Sequence, residues 1–367
     1  VTAGPVGVAV VGCGTISTQY LDNLTAFPDV RVVACSDLEL SRARDAAQRY
    51  GIPVVGDTAE VIGHPDVEIV VNLTIPAVHT EVAHAAVTAG RHVYSEKPLA
   101  LAPDAGAALL AAADAAGVRV ANAPDTFLGA GLQTAYRMIA EGAIGTPLTA
   151  LTLMQSPGPE SWHPNPAFLF QRGAGPLFDI GPYYLTTLVG AFGPARSVAA
   201  VGRRARDSRV VGSGPLAGTA FEVEVPTHVA ALLDFVGGQA ATSVLSFDSP
   251  LARAGFVEIT GSEATMALPD PNTFTGTIRL RRAGDDDWSA VPAKGPDTGR
   301  GLGVLDLARA LRAGTPHRAS GELAQHVLEL MTAIAGSAET GAFVPIDSTC
   351  SAPALLPDEF DPYAATL

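Results

Sequence analysis

Val6-Gly7-Val8-Ala9-Val10-Val11-Gly12-Cys13-Gly14-Thr15-Ile16-Ser17 is the stretch on which the fold turns. Its first six residues are apolar, as a short strand buried on both faces is. Gly12 and Gly14 then make a tight turn, and a polar-capped segment leaves it. Such a turn lets a backbone approach a pyrophosphate closely, with the N–H groups of a helix start pointing at the phosphates. The third glycine of the G-x-G-x-x-G pattern is Ser17 here. Val30 to Cys35 reads as the next strand, and Asp37 stands just past its end, 23 residues beyond Gly14. That is close to the ~20 expected for the acid that holds a ribose 2′-hydroxyl. Gly12, Gly14, Thr15, Ile16, Ser17 and Asp37 are therefore candidates to bind a dinucleotide. A carboxylate at Asp37 repels a 2′-phosphate, so NAD is favoured over NADP. Arg42 and Arg44, a turn further on, could soften that preference, but their default is a solvated helix face.

Outward from this stretch, strands and helices alternate. Strands are expected at Val6–Val11, Val30–Ser36, Pro53–Val55, Ile69–Leu73, His92–Tyr94 and Val118–Ala121. Helices are expected at Tyr20–Ala26, Ser41–Tyr50, Thr80–Ala89 and Asp104–Ala116. This pattern implies a parallel, doubly wound sheet whose ligands bind at the carboxyl ends of its strands. Gly12, Asp37, Thr74–Pro76 and Ser95–Pro98 should then converge on one crevice. After about residue 124 the pattern changes. A helix at Gln133–Glu141, a strand at Thr149–Gln155, a loop rich in proline and aromatics and a helix at Asp179–Phe192 precede a run of long strands with tight turns. That run suggests an antiparallel sheet. Two helices follow, at Gly303–Ala313 and Gly321–Thr340. The expected organisation is an α/β Rossmann domain at 1–124, an α+β domain with an open sheet at 125–350, and a surface tail at 351–367.

Composition narrows the function. Hydrophobic residues make up 47% of the 367 and charged residues 16%, so the chain is globular. A net charge of −14 argues against nucleic acid and anionic membranes as partners. Cys13, Cys35 and Cys350 suit neither a disulfide framework nor a zinc site, and point to a reducing, cytoplasmic compartment. No clustered metal ligands are visible. Val6–Val11 is too short for a signal-peptide core, and no apolar run is long enough to span a bilayer.

Three further stretches carry chemistry. Ser95-Glu96-Lys97-Pro98 follows a strand, and the proline restricts the position of Lys97. An ammonium there can hydrogen-bond a substrate oxygen or lower the pKa of a nearby acid. In Gly175-Pro-Leu-Phe-Asp-Ile-Gly-Pro-Tyr183, Asp179 and Tyr183 are four apart, which places both on one face of a helix. The structural alternatives are a helix cap for Asp179 and a core aromatic for Tyr183. In Glu160-Ser-Trp-His-Pro-Asn165, Trp162, His163 and Asn165 offer a stacking surface and hydrogen-bonding groups that suit a sugar ring. The equal alternative is Trp162 anchoring the loop on the sheet. His228 either faces the site or is a satisfied core histidine.

Gly12–Ser17, Glu96-Lys97-Pro98 and Gly175–Tyr183, in this order and spacing, resemble the Gfo/Idh/MocA family over nearly the whole chain. The resemblance implies a Rossmann domain followed by an open, mostly antiparallel sheet used for substrate binding and for contact in a homodimer or homotetramer. It implies NAD(P)-dependent redox at a hydroxyl or carbonyl carbon of a sugar, polyol or glycoside. The family's catalytic lysine falls on Lys97 and its motif aspartate on Asp179. The position four residues on, commonly histidine, is Tyr183 here. Thr74-Ile-Pro76-Ala-Val-His79 resembles the family's loop over the nicotinamide side, so Thr74, Pro76, His79, Glu96 and Lys97 join the cofactor-binding set. His79 is expected to be a structural or cofactor-side residue rather than a general base. Two other activities fit the same architecture: a glycosidase that uses NAD transiently for oxidation and elimination, and a non-enzymatic dinucleotide or sugar sensor.

Overall fold

A computed structural model describes residues 4–367. The chain forms two compact units. The first comprises the residues up to Ala130 together with Lys294–Leu328 and Pro353–Leu367; the second comprises Gly131–Ala293 and Glu329–Ala352.

The first unit is built on six parallel strands: β1 (Val6–Val11), β2 (Val30–Ser36), β3 (Val54–Val55), β4 (Ile69–Asn72), β5 (His92–Ser95) and β6 (Val120–Asn122). Their spatial order is β3-β2-β1-β4-β5-β6. Helices α1 (Thr15–Leu24), α2 (Leu40–Tyr50), α3 (Thr58–Gly63), α4 (His79–Thr88) and α5 (Pro103–Ala116) connect them. All of β1 and β4 is buried, as strands covered on both faces must be. The strand order reverses between β1 and β4, which leaves a crevice above their carboxyl ends. Helix α3 lies outside the helices expected from the sequence. It is opened by a reciprocal cap: the Asp57 carboxylate accepts from Glu60 N–H (2.8 Å) and the Glu60 carboxylate from Asp57 N–H (2.9 Å). Six residues are too few to show helical periodicity.

The second unit holds a nine-stranded sheet. It begins with α6 (Ala130–Ala140) and β7 (Pro147–Gln155), then α7 (Gly175–Asp179) and α8 (Gly181–Phe192). Next come β8 (Ala195–Arg203), β9 (Ser208–Val210), β10 (Ala220–Glu222), β11 (His228–Phe235), β12 (Ala240–Ser246), β13 (Arg253–Gly261), β14 (Ala264–Leu268), β15 (Thr277–Arg282) and β16 (Ser289–Pro292). Strands β9 and β10 form a separate two-stranded arm. The large sheet, completed by β17 (Val344–Pro345), runs β16-β15-β14-β13-β7-β12-β11-β8-β17. Every pairing in it is antiparallel except β7 with β12. The expected fold class is therefore the observed one. Inward side chains such as Ala150, Met154, Val229, Leu233 and Leu245 are buried. The opposite face stays open, with Leu151, Thr242, Leu232 and Ala199 in one cross-strand row and Leu153, Val244, Ala230 and Val201 in the next.

Two later segments belong to the first unit. Helix α9 (Leu302–Ala313) buries Leu302, Val304, Leu305 and Leu307; α10 (Gly321–Thr340) follows it, its residues up to Leu328 counted with the first unit and those from Glu329 with the second. The expected tail is also seated there. Thr366 donates from N–H (2.8 Å) and hydroxyl (2.7 Å) to the buried Asp29 carboxylate, which also accepts from Arg309 at 2.8 Å. Among the described residues, no helix is long and apolar enough to cross a membrane.

Candidate active site

In the first unit the glycine turn follows from sterics. Gly12 has φ +98°, and a Cβ there would lie 2.7 Å from the Leu73 carbonyl carbon and oxygen. Only glycine lets β1 turn this close to the end of β4. At Gly14 an added Cβ would meet nothing within 4 Å, so the backbone before α1 borders open space. No side chain caps α1, which leaves N–H groups of its first turn available to an anion. Ser17 is buried, and its hydroxyl donates to Gly14 O at 2.7 Å, closing the turn from below.

Asp37 sits at the carboxyl end of β2 and is held from two sides. One carboxylate oxygen accepts from Cys13 N–H and the other from Glu39 N–H, both at 2.8 Å. Each oxygen keeps a lone pair for a hydroxyl donor. Leu38, fully exposed, and Ile75, 67% exposed, stand at the ends of β2 and β4 on either side of this turn. They are apolar surfaces that flat rings could cover, and the sequence reading did not single them out. The turn, the open backbone and the oriented carboxylate together fit a dinucleotide.

The Lys97 turn is locked by buried amides and a histidine. Glu96 N–H donates to Asn72 O at 2.9 Å. Asn122 donates from its side chain to Ser95 O (2.9 Å) and Glu96 O (3.1 Å). The Glu96 carboxylate accepts from Tyr20 hydroxyl (2.7 Å) and from Lys97 N–H (3.0 Å). Burial first, and then the charge of Glu96, pushes the Tyr20 phenol well above its usual range, so it remains a donor. Glu96 thus works inside the unit, tying α1 to the lysine turn. His79 is 1% exposed, with Nδ1 2.8 Å from Pro98 O and Nε2 3.0 Å from Thr74 O. Both ring nitrogens face carbonyl oxygens, which suits a pin between two loops and not a general base. Asn72 completes the pin: it donates to His79 O (2.9 Å) and accepts from the Thr74 hydroxyl (2.6 Å). Pro76 opens the short helical turn that leads into α4.

Tyr20, Asn72 and Asn122 were not anticipated as site residues. A signal existed for Asn72, since an amide ending the buried run Ile69-Val70-Val71 must find partners.

In the second unit the expected single helix Asp179–Phe192 is two helices. Helix α7 ends at Asp179, Ile180 breaks the run, and α8 starts at Gly181 with Pro182 in its first turn. Proline cannot donate to a preceding turn, so the chain restarts there. Asp179 and Tyr183 therefore flank a helix junction instead of sharing one continuous face. Tyr183 is 5% exposed, and Asp179 is partly exposed. The aromatic loop is the opposite case: Trp162 is 68% and Phe168 52% exposed. Their rings each meet His163 edge-on, with centroids 5.5 Å apart in both pairs. His163 Nδ1 accepts from Asn165 N–H at 3.0 Å, which leaves Nε2 as the donor. Trp162 does not anchor the loop on the sheet. His228 lies on the open face of the sheet with Leu232, outside the core.

Comparisons with known proteins agree with this architecture. Residues 6–123 match the model for an oxidoreductase family described as an NAD-binding Rossmann fold. Residues 132–267 match the model for the GFO/IDH/MocA C-terminal domain. An uncharacterized oxidoreductase of Rhizobium meliloti, ORF334, is 28% identical over 343 residues, covering 90% of this chain and 96% of that protein. A trans-1,2-dihydrobenzene-1,2-diol dehydrogenase of Bos taurus is 25% identical over 311 residues, covering 83% and 86% respectively. Among solved structures, levoglucosan dehydrogenase in complex with NADH superposes with a TM-score of 0.80 at 20% identity, over 94% of this chain and 100% of that one.

Proposed function

Because the chain belongs to the GFO/IDH/MocA oxidoreductase family, with an NAD-binding Rossmann domain, we propose that it interconverts a secondary carbinol and its carbonyl in a sugar, polyol or vicinal diol. The observation that carries this reading is the locked Glu96-Lys97-Pro98 turn on the same sheet edge as the Gly12–Gly14 turn. Bound NAD supplies the acceptor for two electrons and a hydrogen. The first turn of α1 would hold its pyrophosphate and Asp37 its adenosine ribose, with Leu38 and Ile75 offering apolar surfaces to its rings.

The remaining chemistry belongs to side chains. The Lys97 ammonium holds the carbinol oxygen and favours its deprotonated form. Tyr183 accepts the O–H proton as the carbinol is oxidised and returns it in the reverse direction. A phenol ordinarily titrates near ~10, so this role depends on a neighbouring cation. Asp179 orients the substrate, and Trp162, His163 and Asn165 contact its ring. The relatives named for a diol and an anhydrosugar support this substrate class. The apolar rows Leu151–Ala199 and Leu153–Val201 on the open sheet face support a homo-oligomer. Three scattered cysteines favour a reducing compartment.

The test begins with fluorescence titration of dialysed protein by NADH and by NADPH, followed by reduced-nicotinamide formation with inositol, levoglucosan, D-glucose and a cyclic trans-diol. Tighter NADH binding and turnover of one panel member are expected. Lys97→Ala and Tyr183→Phe should each lower kcat by about 10²–10⁴, and Tyr183→Phe should leave NADH affinity nearly unchanged. Normal turnover in both variants would remove the assigned roles, and failure to bind either nucleotide would remove the reading itself.

A further inference from the structure

The arm β9–β10 has no role in the reading above, yet it carries the most heavily bonded buried cation of the second unit. Arg209 is 4% exposed. Its Nη1 donates to the Glu160 carboxylate and to Pro157 O (3.0 Å). Its Nη2 donates to the Asp248 carboxylate and to Phe247 O (2.9 Å). The guanidinium lies over the Phe170 ring, 5.0 Å from its centroid, and Phe170 packs in turn on Phe221 of β10 and on Phe247. The second oxygen of Asp248 accepts from Thr227 hydroxyl at 2.6 Å. Four of the five N–H groups of Arg209 are therefore committed inside the unit, so it does not serve a ligand directly.

What these bonds join is informative. Pro157 and Glu160 begin the loop that presents Trp162 and His163; Phe247 and Asp248 directly follow β12 of the sheet. The arm touches the loop at further points. Gly212 N–H donates to Glu160 O at 2.8 Å, and a Cβ on Gly212 would lie 2.9 Å from that oxygen. A Cβ on Gly214 would lie 2.6 Å from Pro164. Past β10, Glu224 N–H donates to Phe170 O at 2.9 Å, and the carboxylate of Glu224 accepts from Arg172 N–H at 3.3 Å. The arm thus grips both ends of the segment between β7 and α7, while Trp162 and Phe168 stay exposed.

We propose that Arg209, with the arm that carries it, is a positioning residue that fixes the aromatic loop and so governs affinity for the substrate ring. This rests on the assignment of Trp162, His163 and Asn165 to substrate contact. A lysine in place of Arg209 keeps the charge but loses the planar fork that spans two carboxylates and two carbonyls.

The chain has two tryptophans, so Trp288→Phe leaves Trp162 as the sole reporter of loop motion. In that background, Arg209→Lys and separately Gly212→Ala are examined by time-resolved fluorescence anisotropy, by circular dichroism for retention of fold, and by kinetics. The kinetic probe is whichever of inositol, levoglucosan and D-glucose turns over fastest. Expected are about a twofold larger fast-motion amplitude for Trp162 and a KM raised on the order of fivefold, with kcat within about twofold of the parent. A folded variant with parental anisotropy and parental KM overturns the proposal. Loss of the fold in both variants also overturns it, because the arm would then support the core at large. If Trp162→Ala leaves KM unchanged while Arg209→Lys loosens the loop, the substrate role of the loop fails and the positioning role of Arg209 stands.

Discussion

Around Lys97, the side chains of Asn72, His79, Glu96 and Asn122 are all buried, and each bonds to a neighbouring strand, loop or helix. In the loop between β7 and α7, Trp162 and Phe168 project into solvent, and the bonds that hold the segment lie beneath them. Under the proposed function, the contrast follows from what each region recognises. A dinucleotide has a single shape, so its edge of the sheet can be rigid and redundantly bonded. A sugar ring varies in hydroxyl configuration, and an exposed aromatic face on a loop held from its two ends can stack on such rings without being part of a core.

The contrast can be broken experimentally. Asn122→Ala leaves the Glu96 carbonyl short of a buried partner, and should destabilise the protein by about 1–3 kcal/mol in chemical denaturation. It should also lower kcat more than it raises KM, since the lysine turn loosens. Trp162→Ala should do the reverse. Unfolding free energy stays within about 0.5 kcal/mol, while KM rises roughly 5- to 30-fold, or about 1–2 kcal/mol of ring contact. If both variants shift the same parameter, the two regions do not differ as described.

A third measurement sharpens the picture of the rigid unit. Burial first, then the charge of Arg119, lowers His92 from an ordinary 6.5 to about 4. The unfolded chain therefore binds this proton more readily than the folded one, and stability should fall as pH drops from about 6.5 towards 4. Melting temperatures across that range should show the decline, and His92→Gln should flatten it. The smallest effect is expected at the tail. The Asp29 carboxyl is held below its ordinary range, because bonds from Thr366 and Arg309 outweigh its burial. Its contribution persists at neutral pH and is lost only in acid, below the ordinary carboxylate range. Thr366→Val should cost about 0.5–1.5 kcal/mol, read from urea midpoints at pH 7.

The first unit was legible because its strands are short, mostly apolar and separated by helices of ordinary length. Periodicity alone places β1, β2, β4 and β5 within a residue or so. The return of α9 to that unit was not legible, because a helical pattern after a run of strands says nothing about which core receives its apolar stripe. The broken helix at Ile180 had its cue in Pro182, which tolerates either a first turn or a restart. Arg209 was hidden for a different reason. In Arg206-Asp-Ser-Arg209 it reads as a solvated loop residue, and only the fold brings Glu160 and Asp248 to it. Contacts that join distant stretches of chain leave no local trace, whereas a glycine turn between strand and helix leaves a clear one.

The central strand β7 raises a separate matter, that of synthesis. Its two neighbours are β12, where Thr149 pairs with Ala240, and β13, where Thr152 pairs with Val257. On a ribosome adding ~5–20 residues per second, β7 emerges on the order of ten seconds before either partner exists. During that interval both of its hydrogen-bonding edges, and the apolar pair Leu151 and Leu153, are open to other nascent chains. Expression yield in this protein should therefore respond to chaperone supply and translation speed more than its finished stability would indicate.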